Sequence, residues 1–125
     1  MNQKHHVSQT IAKQLVEAGI VIESEYVWQK WNNAEDWVIR RPIQRGKTVP
    51  EIFQEIPAPI ATEILEWFPR GYDFGFELIK LGEGYGAICK DYRVMPYERI
   101  GFTKDDNAPN ALALLLIRLT KDGLI

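Results

Sequence analysis

Apolar and polar positions alternate along the chain with two different periods. Residues 8–19, "SQTIAKQLVEAG", place Ile11, Ala12, Leu15 and Val16 on one helical stripe and Lys13, Gln14 and Glu17 opposite it. Ser8 fits the N-cap, because its side-chain oxygen can take an orphan N–H of the first turn. Gly19 followed by Ile20 fits a stop in which a left-handed residue is succeeded by an apolar one folded back on the last turn. "ESEYVWQKW" and "DWVIRR", rich in aromatic and β-branched residues and separated by "NNAE", predict two strands joined by a turn, with Pro42 ending the second. "TVPEIFQEIP" predicts a short helix, with Thr48 and Glu51 at capping-box spacing, Pro50 in the first turn and Pro57 as the stop. "PIATEILEWF" predicts a second helix with Ile60, Ile64, Trp67 and Phe68 inward.

The second half changes to period two. "YDFGFELIKL" puts Tyr72, Phe74, Phe76 and Leu78 on one face. "GEG" then predicts a three-residue hairpin connection to "YGAICKDY", and "YERIGF" a third strand after Pro96. A last helix follows, capped by Asp106 or Asn107, with Pro109 in its first turn. The order α-β-β-α-α-β-β-β-α predicts an α+β fold, an antiparallel sheet of about five strands with helices packed on one face. Residues 1–7 read as a disordered N-terminal tail and residues 8–125 as one domain, the usual outcome for a chain of 125 residues.

The last helix carries the strongest apolar run, residues 111–117. It is far shorter than the roughly 20 residues that span a bilayer, so no membrane role is expected. Leu112, Leu115, Leu116 and Leu119 form one stripe, while Leu114 and Ile117 point the other way, among Asn110, Arg118 and Lys121. Two large aliphatics on that face need a cover, which is either the first helix or a second copy of the chain. A two-fold helix-to-helix contact predicts a homodimer interface at Leu114, Ile117, Arg118 and Lys121. "KDGLI" repeats the stop signal of "EAGIVI", which predicts that Leu124 and Ile125 are packed.

Composition narrows the functional classes. The chain is 46% hydrophobic and 26% charged, ordinary for a globular protein. Its net charge of −2 argues against a protein built mainly to coat nucleic acid. A single cysteine, Cys89, excludes an internal disulfide, and "MNQKHHVSQT" lacks the apolar region of a signal peptide, so a cytoplasmic location is expected.

Few stretches suggest chemistry. "LGEGYGAICK" has G-x-G-x-G, one residue short of a kinase glycine loop, and the chain has no H-R-D; a glycine hairpin is the simpler reading. His5 and His6 are the only histidines and lack a third ligand nearby, so no metal or cofactor is expected. Cys89 reads as a small buried hydrophobe, and Asp105 and Asp106 as capping charges at a helix start. No catalytic constellation emerges, which points to a non-enzymatic protein. "RRPIQRGK" is the main alternative. Arg40, Arg41, Arg45 and Lys47 lie near Trp28 and Trp37, and cations beside aromatics suit single-stranded nucleic acid. The competing reading is a solvated loop facing Glu51, Glu55, Glu63 and Glu66.

The order of these segments resembles a group of small, uncharacterised proteins frequent in phages and prophages. Those open with a helix running into an L-G-(I/V/F)-x-x-E-S-x-(F/Y)-x-W strand, matched here by "EAGIVIESEYVWQKW". A short helix ending in a Leu-Pro-like step follows, here "VPEIFQEIP", and they close with a capped, Ala-rich helix and (N/D)-G-L-I, here "KDDNAPNALALLLIRLTKDGLI". The likeness spans nearly the whole chain, but "RRPIQRGK" and "GEGYG" depart from the pattern. The resemblance brings no catalytic residue. It implies a compact accessory protein of mobile-element origin, whose partner is itself or another protein.

Overall fold

A computed structural model describes residues 5–31, 36–42, 53–69, 71 and 73–125. Among them lie three helices, α1 (Gln9–Glu17), α2 (Ala61–Trp67) and α3 (Ala108–Lys121), and six strands. The strands are β1 (Val27–Trp31), β2 (Val38–Arg40), β3 (Phe53–Pro57), β4 (Phe74–Leu81), β5 (Gly84–Asp91) and β6 (Glu98–Asp105). The fold is α+β. The expected single sheet of about five strands is replaced by two antiparallel sheets of three, ordered β2-β1-β3 and β4-β5-β6.

The difference comes from residues 53–57. They were expected to finish a short helix at Pro57, yet they pair with β1, Trp28 opposite Ile56 and Val27 opposite Pro57. Alternation decides it: Ile56 packs against the core and Glu55, on the opposite face, is exposed. Pro57 fits because β3 is an edge strand and ends there, where a missing N–H costs no ladder bond. Residues 48–52, which carry the capping-box signal, lie outside the described residues. The β4–β5 hairpin is also tighter than expected, since Leu81 pairs with Gly84 and only residues 82–83 form the turn.

The helix ends follow local chemistry. Ser8 Oγ accepts from Ile11 N, and Asn107 Oδ1 accepts from Asn110 N at 2.9 Å. Gly19 and Gly123 have φ of 79° and 72°, which only glycine adopts at little cost. Behind each the chain folds back, Ile20 N donating to Leu15 O and Leu124 N to Leu119 O. Ile20 is buried, and Ile125 packs against the core, whereas Leu124 is 39% exposed. The stripes are narrower than the periodicity suggested, because Val16 and Trp67 face solvent at their margins.

Helix α3 lies against β5 and β6 and also touches α1 and α2. That placement fills both of its faces. Leu112, Leu115, Leu116 and Leu119 are buried as expected, and Ile117 is buried too, only 6% exposed. Leu114 is half-buried and packs on the same core. The apolar face expected to need a second copy is therefore largely covered within one chain. A helix apolar around most of its circumference sits inside a fold. Gly101 of β6 permits this approach, since a Cβ there would stand 2.9 Å from Leu115 Cδ1.

Candidate ligand-binding cleft

His6 and Val7 are buried and His6 forms a β-bridge with Ile60, so the end of the expected tail of residues 1–7 packs on the domain; His5 is exposed, and residues 1–4 lie outside the described residues. The backbone of residues 6–8 is held on three sides. Val7 N donates to Pro59 O at 3.0 Å, and Trp28 Nε1 donates to Val7 O at 2.8 Å. Asn107 Nδ2 donates to His6 O, and Ser8 N donates to Asn110 Oδ1, both at 2.8 Å. Residues 6–8 thus form a strap linking β1, the segment before α2 and the start of α3. The sequence held one clue: an apolar residue before an N-cap serine, here Val7, is where a staple onto the first turns of a helix belongs.

The strap forms one wall of a cleft of about 500 Å³, whose lining includes His6, Tyr26, Thr62, Tyr85 and Pro109. Tyr26 precedes β1, Thr62 stands in the first turn of α2, Tyr85 comes from β5 and Pro109 from the first turn of α3. A second wall is set by Glu63. Its carboxylate accepts from Ile60 N at 2.9 Å and from the Ser24 hydroxyl at 2.8 Å, tying α2 to the chain that enters β1. The third wall, at the α3 start, is fixed by Asp105, whose Oδ1 accepts from Asn107 N at 3.0 Å and from Asn110 Nδ2 at 3.1 Å. Asp105 therefore braces the cap, and Asn107, one of the two residues expected there, is the N-cap itself.

The chemistry of the cleft centres on His6. Its Nδ1 lies 2.7 Å from Ala58 O. A carbonyl only accepts, so Nδ1 carries a proton, and in the uncharged ring Nε2 is an acceptor. Among the described residues no fully enclosed side-chain nitrogen or oxygen lacks a partner. Among the described residues the His6 ring makes its one hydrogen bond through Nδ1, and it lines the cleft, so Nε2 opens into it. The Tyr26 ring meets the imidazole edge-on, centroids 5.2 Å apart. Both lining tyrosines carry a cation: Arg41 stands 5.6 Å from the Tyr26 centroid and Lys80 4.4 Å from that of Tyr85. Much of the remaining lining is aliphatic, from Ile60, Ala61, Ala108 and Pro109.

The residues expected to bind nucleic acid are not brought together as a set. Trp28 is buried in the core with its indole N–H spent on Val7, so it offers no face for stacking. Trp37 is half-buried against the core, with Lys13 over its ring. Arg40 and Arg41 are exposed, and Arg41 reaches Tyr26 rather than a tryptophan. Arg45 and Lys47 lie outside the described residues. Of the proposed dimer surface, Arg118 and Lys121 are exposed, and Arg118 donates to Phe102 O at 3.3 Å. Cys89 is buried in β5; burial first and the Asp91 carboxylate second push its thiol above the ordinary value. Among the described residues no three His, Cys, Asp or Glu side chains gather, and no helix is long and apolar enough to cross a membrane. Comparison of the chain with protein families, curated proteins and solved structures finds no match.

Proposed function

We propose that the protein is a binding module whose ligand seats in the cleft between the N-terminal strap, α2, β5 and the start of α3. The observation that carries this reading is the cleft itself. A concavity of about 500 Å³ with aliphatic walls and a few converging polar groups has the form of a small-molecule site. The reading keeps the accessory role that the resemblance to phage-type proteins implies. It moves the working surface from α3 to the cleft, because Ile117 no longer calls for a partner chain.

Blocking the cleft tests the proposal. Thr62 is exposed at its mouth, so Thr62→Trp fills the space without disturbing the core. A fragment library followed by protein-observed NMR should give hits that move signals of His6, Tyr26 and Tyr85 and are lost in Thr62→Trp. Hits that cluster elsewhere, or that bind the variant equally well, refute the reading. A single-strand reading retains Arg40 and Arg41 but loses Trp28. An oligonucleotide that binds at low salt and is unaffected by Thr62→Trp would favour it.

A further inference from the structure

The acceptor in the cleft specifies what its ligand must bring. Resting on the cleft reading, we propose that the ligand is a planar heterocycle of the nucleobase class, which gives an N–H to His6 Nε2 and lies along Tyr26 and Tyr85. The His6 tautomer is fixed from behind by Ala58 O, so in the uncharged ring Nε2 offers a lone pair and no proton. A ligand that only accepts hydrogen bonds leaves that lone pair unsatisfied once water is displaced, and so is rejected. The shape adds a second demand. Two phenol rings in a largely aliphatic lining favour a flat body over a puckered sugar, and stacking on tyrosine is available to any base. The third demand is charge. Arg41 and Lys80 each stand beside one of the lining tyrosines, where a phosphate attached to the heterocycle would meet a cation. Exocyclic amines of adenine and cytosine meet the first two demands, and their 5′-monophosphates all three.

The test uses the full chain with four probes: adenosine 5′-monophosphate, cytidine 5′-monophosphate, ribose 5-phosphate with no ring to stack, and phenyl phosphate with a ring but no donor. The nucleotides should bind about tenfold more tightly than either control, the effect of one hydrogen bond made in a desolvated site. They should also move the His6 Nε2 nitrogen resonance while Nδ1 keeps its proton. In His6→Asn the side-chain amide can still donate to Ala58 O but nothing replaces Nε2. The nucleotides should lose about tenfold there and phenyl phosphate should be unchanged. Phenyl phosphate binding as well as the nucleotides overturns the proposal, as does an Nε2 resonance that stays put at saturation. The resonance decides the matter in the wild type even if His6→Asn folds poorly. Fragments blocked by Thr62→Trp while all nucleotides fail would sink this inference and leave the cleft reading standing. No movement of cleft signals by any compound removes both. A short oligonucleotide that binds far more tightly than the mononucleotides would identify the source of the base as a single strand rather than a free nucleotide.

Discussion

Replacing Asn110 by alanine should loosen the strap that builds the cleft, and the structure sets the size of the effect. Asn110 is 7% exposed. Its Oδ1 is the acceptor for Ser8 N, 102 residues away in sequence, and its Nδ2 donates to Asp105. Alanine removes both bonds, but their consequences differ. Asp105 Oδ1 keeps the bond from Asn107 N, so that carboxylate remains partnered. The Ser8 amide is left without an acceptor in a half-buried site, which costs about 1–3 kcal/mol. Alanine regains about 0.6 kcal/mol of helix propensity at the same position. The net loss is about 0.5–2.5 kcal/mol, and at about 4 °C per kcal/mol for a domain of this length the melting temperature should fall by about 2–10 °C. Amide exchange localises the cause. The Ser8 amide should lose its protection, while the Ala12 amide, bonded within α1 to Ser8 O, should keep it at any stability above local fraying. Ligand affinity should fall with the strap, because His6 is anchored one residue from Val7 and two from Ser8. A Tm within 1 °C of wild type, or a Ser8 amide still protected, would refute the view that this side chain closes the chain ends onto each other.

Three other expectations follow from the packing. Gly101→Ala should cost about 1–3 kcal/mol in urea unfolding, because the new methyl meets Leu115 Cδ1 at 2.9 Å and Leu119 Cδ2 at 3.3 Å in the core; a cost under about 0.5 kcal/mol would contradict the close seating of α3 on β6. Ile117→Ala should destabilise by about 2–4 kcal/mol to the same extent at every protein concentration, since the side chain is covered in cis; a loss that grows on dilution, read by calorimetry and light scattering, would restore the dimer. Cys89 should resist a thiol reagent until urea unfolds the chain, and its raised pKa adds stability that is fully present below the unfolded thiol value, about 8.5, and is lost as pH rises above it; rapid native labelling at pH 7.5 would contradict this placement.

What the sequence revealed, and what it hid, divides by the range of the interactions concerned. Helix ends were legible because caps act within one turn: Ser8, Gly19, Asn107 and Gly123 each do locally what their residue type favours. The β4–β5 hairpin was legible for the same reason, since Phe74, Phe76 and Leu78 alternate and their partner strand follows at once. Residues 53–57 were misread because the nearby proline and capping signals are local while the strand is made by β1, more than 20 residues earlier. Helix α3 shows the same limit in another form. Its two apolar faces could be read from the pattern, but what covers the second one depends on α1 and α2 meeting it. The cleft is the extreme case. His6 takes its tautomer from Ala58, 52 residues on, and the strap is tied to Asn110 at the far end of the chain. In sequence these are two histidines in a polar terminus and an asparagine before an apolar run. The unpaired acceptor exists only after the terminus has been drawn between β1, α2 and α3, so a tail by composition becomes the wall of the site. That same dependence makes the strap the place where folding and ligand binding are coupled: a ligand donating to Nε2 binds only the closed strap and must stabilise it.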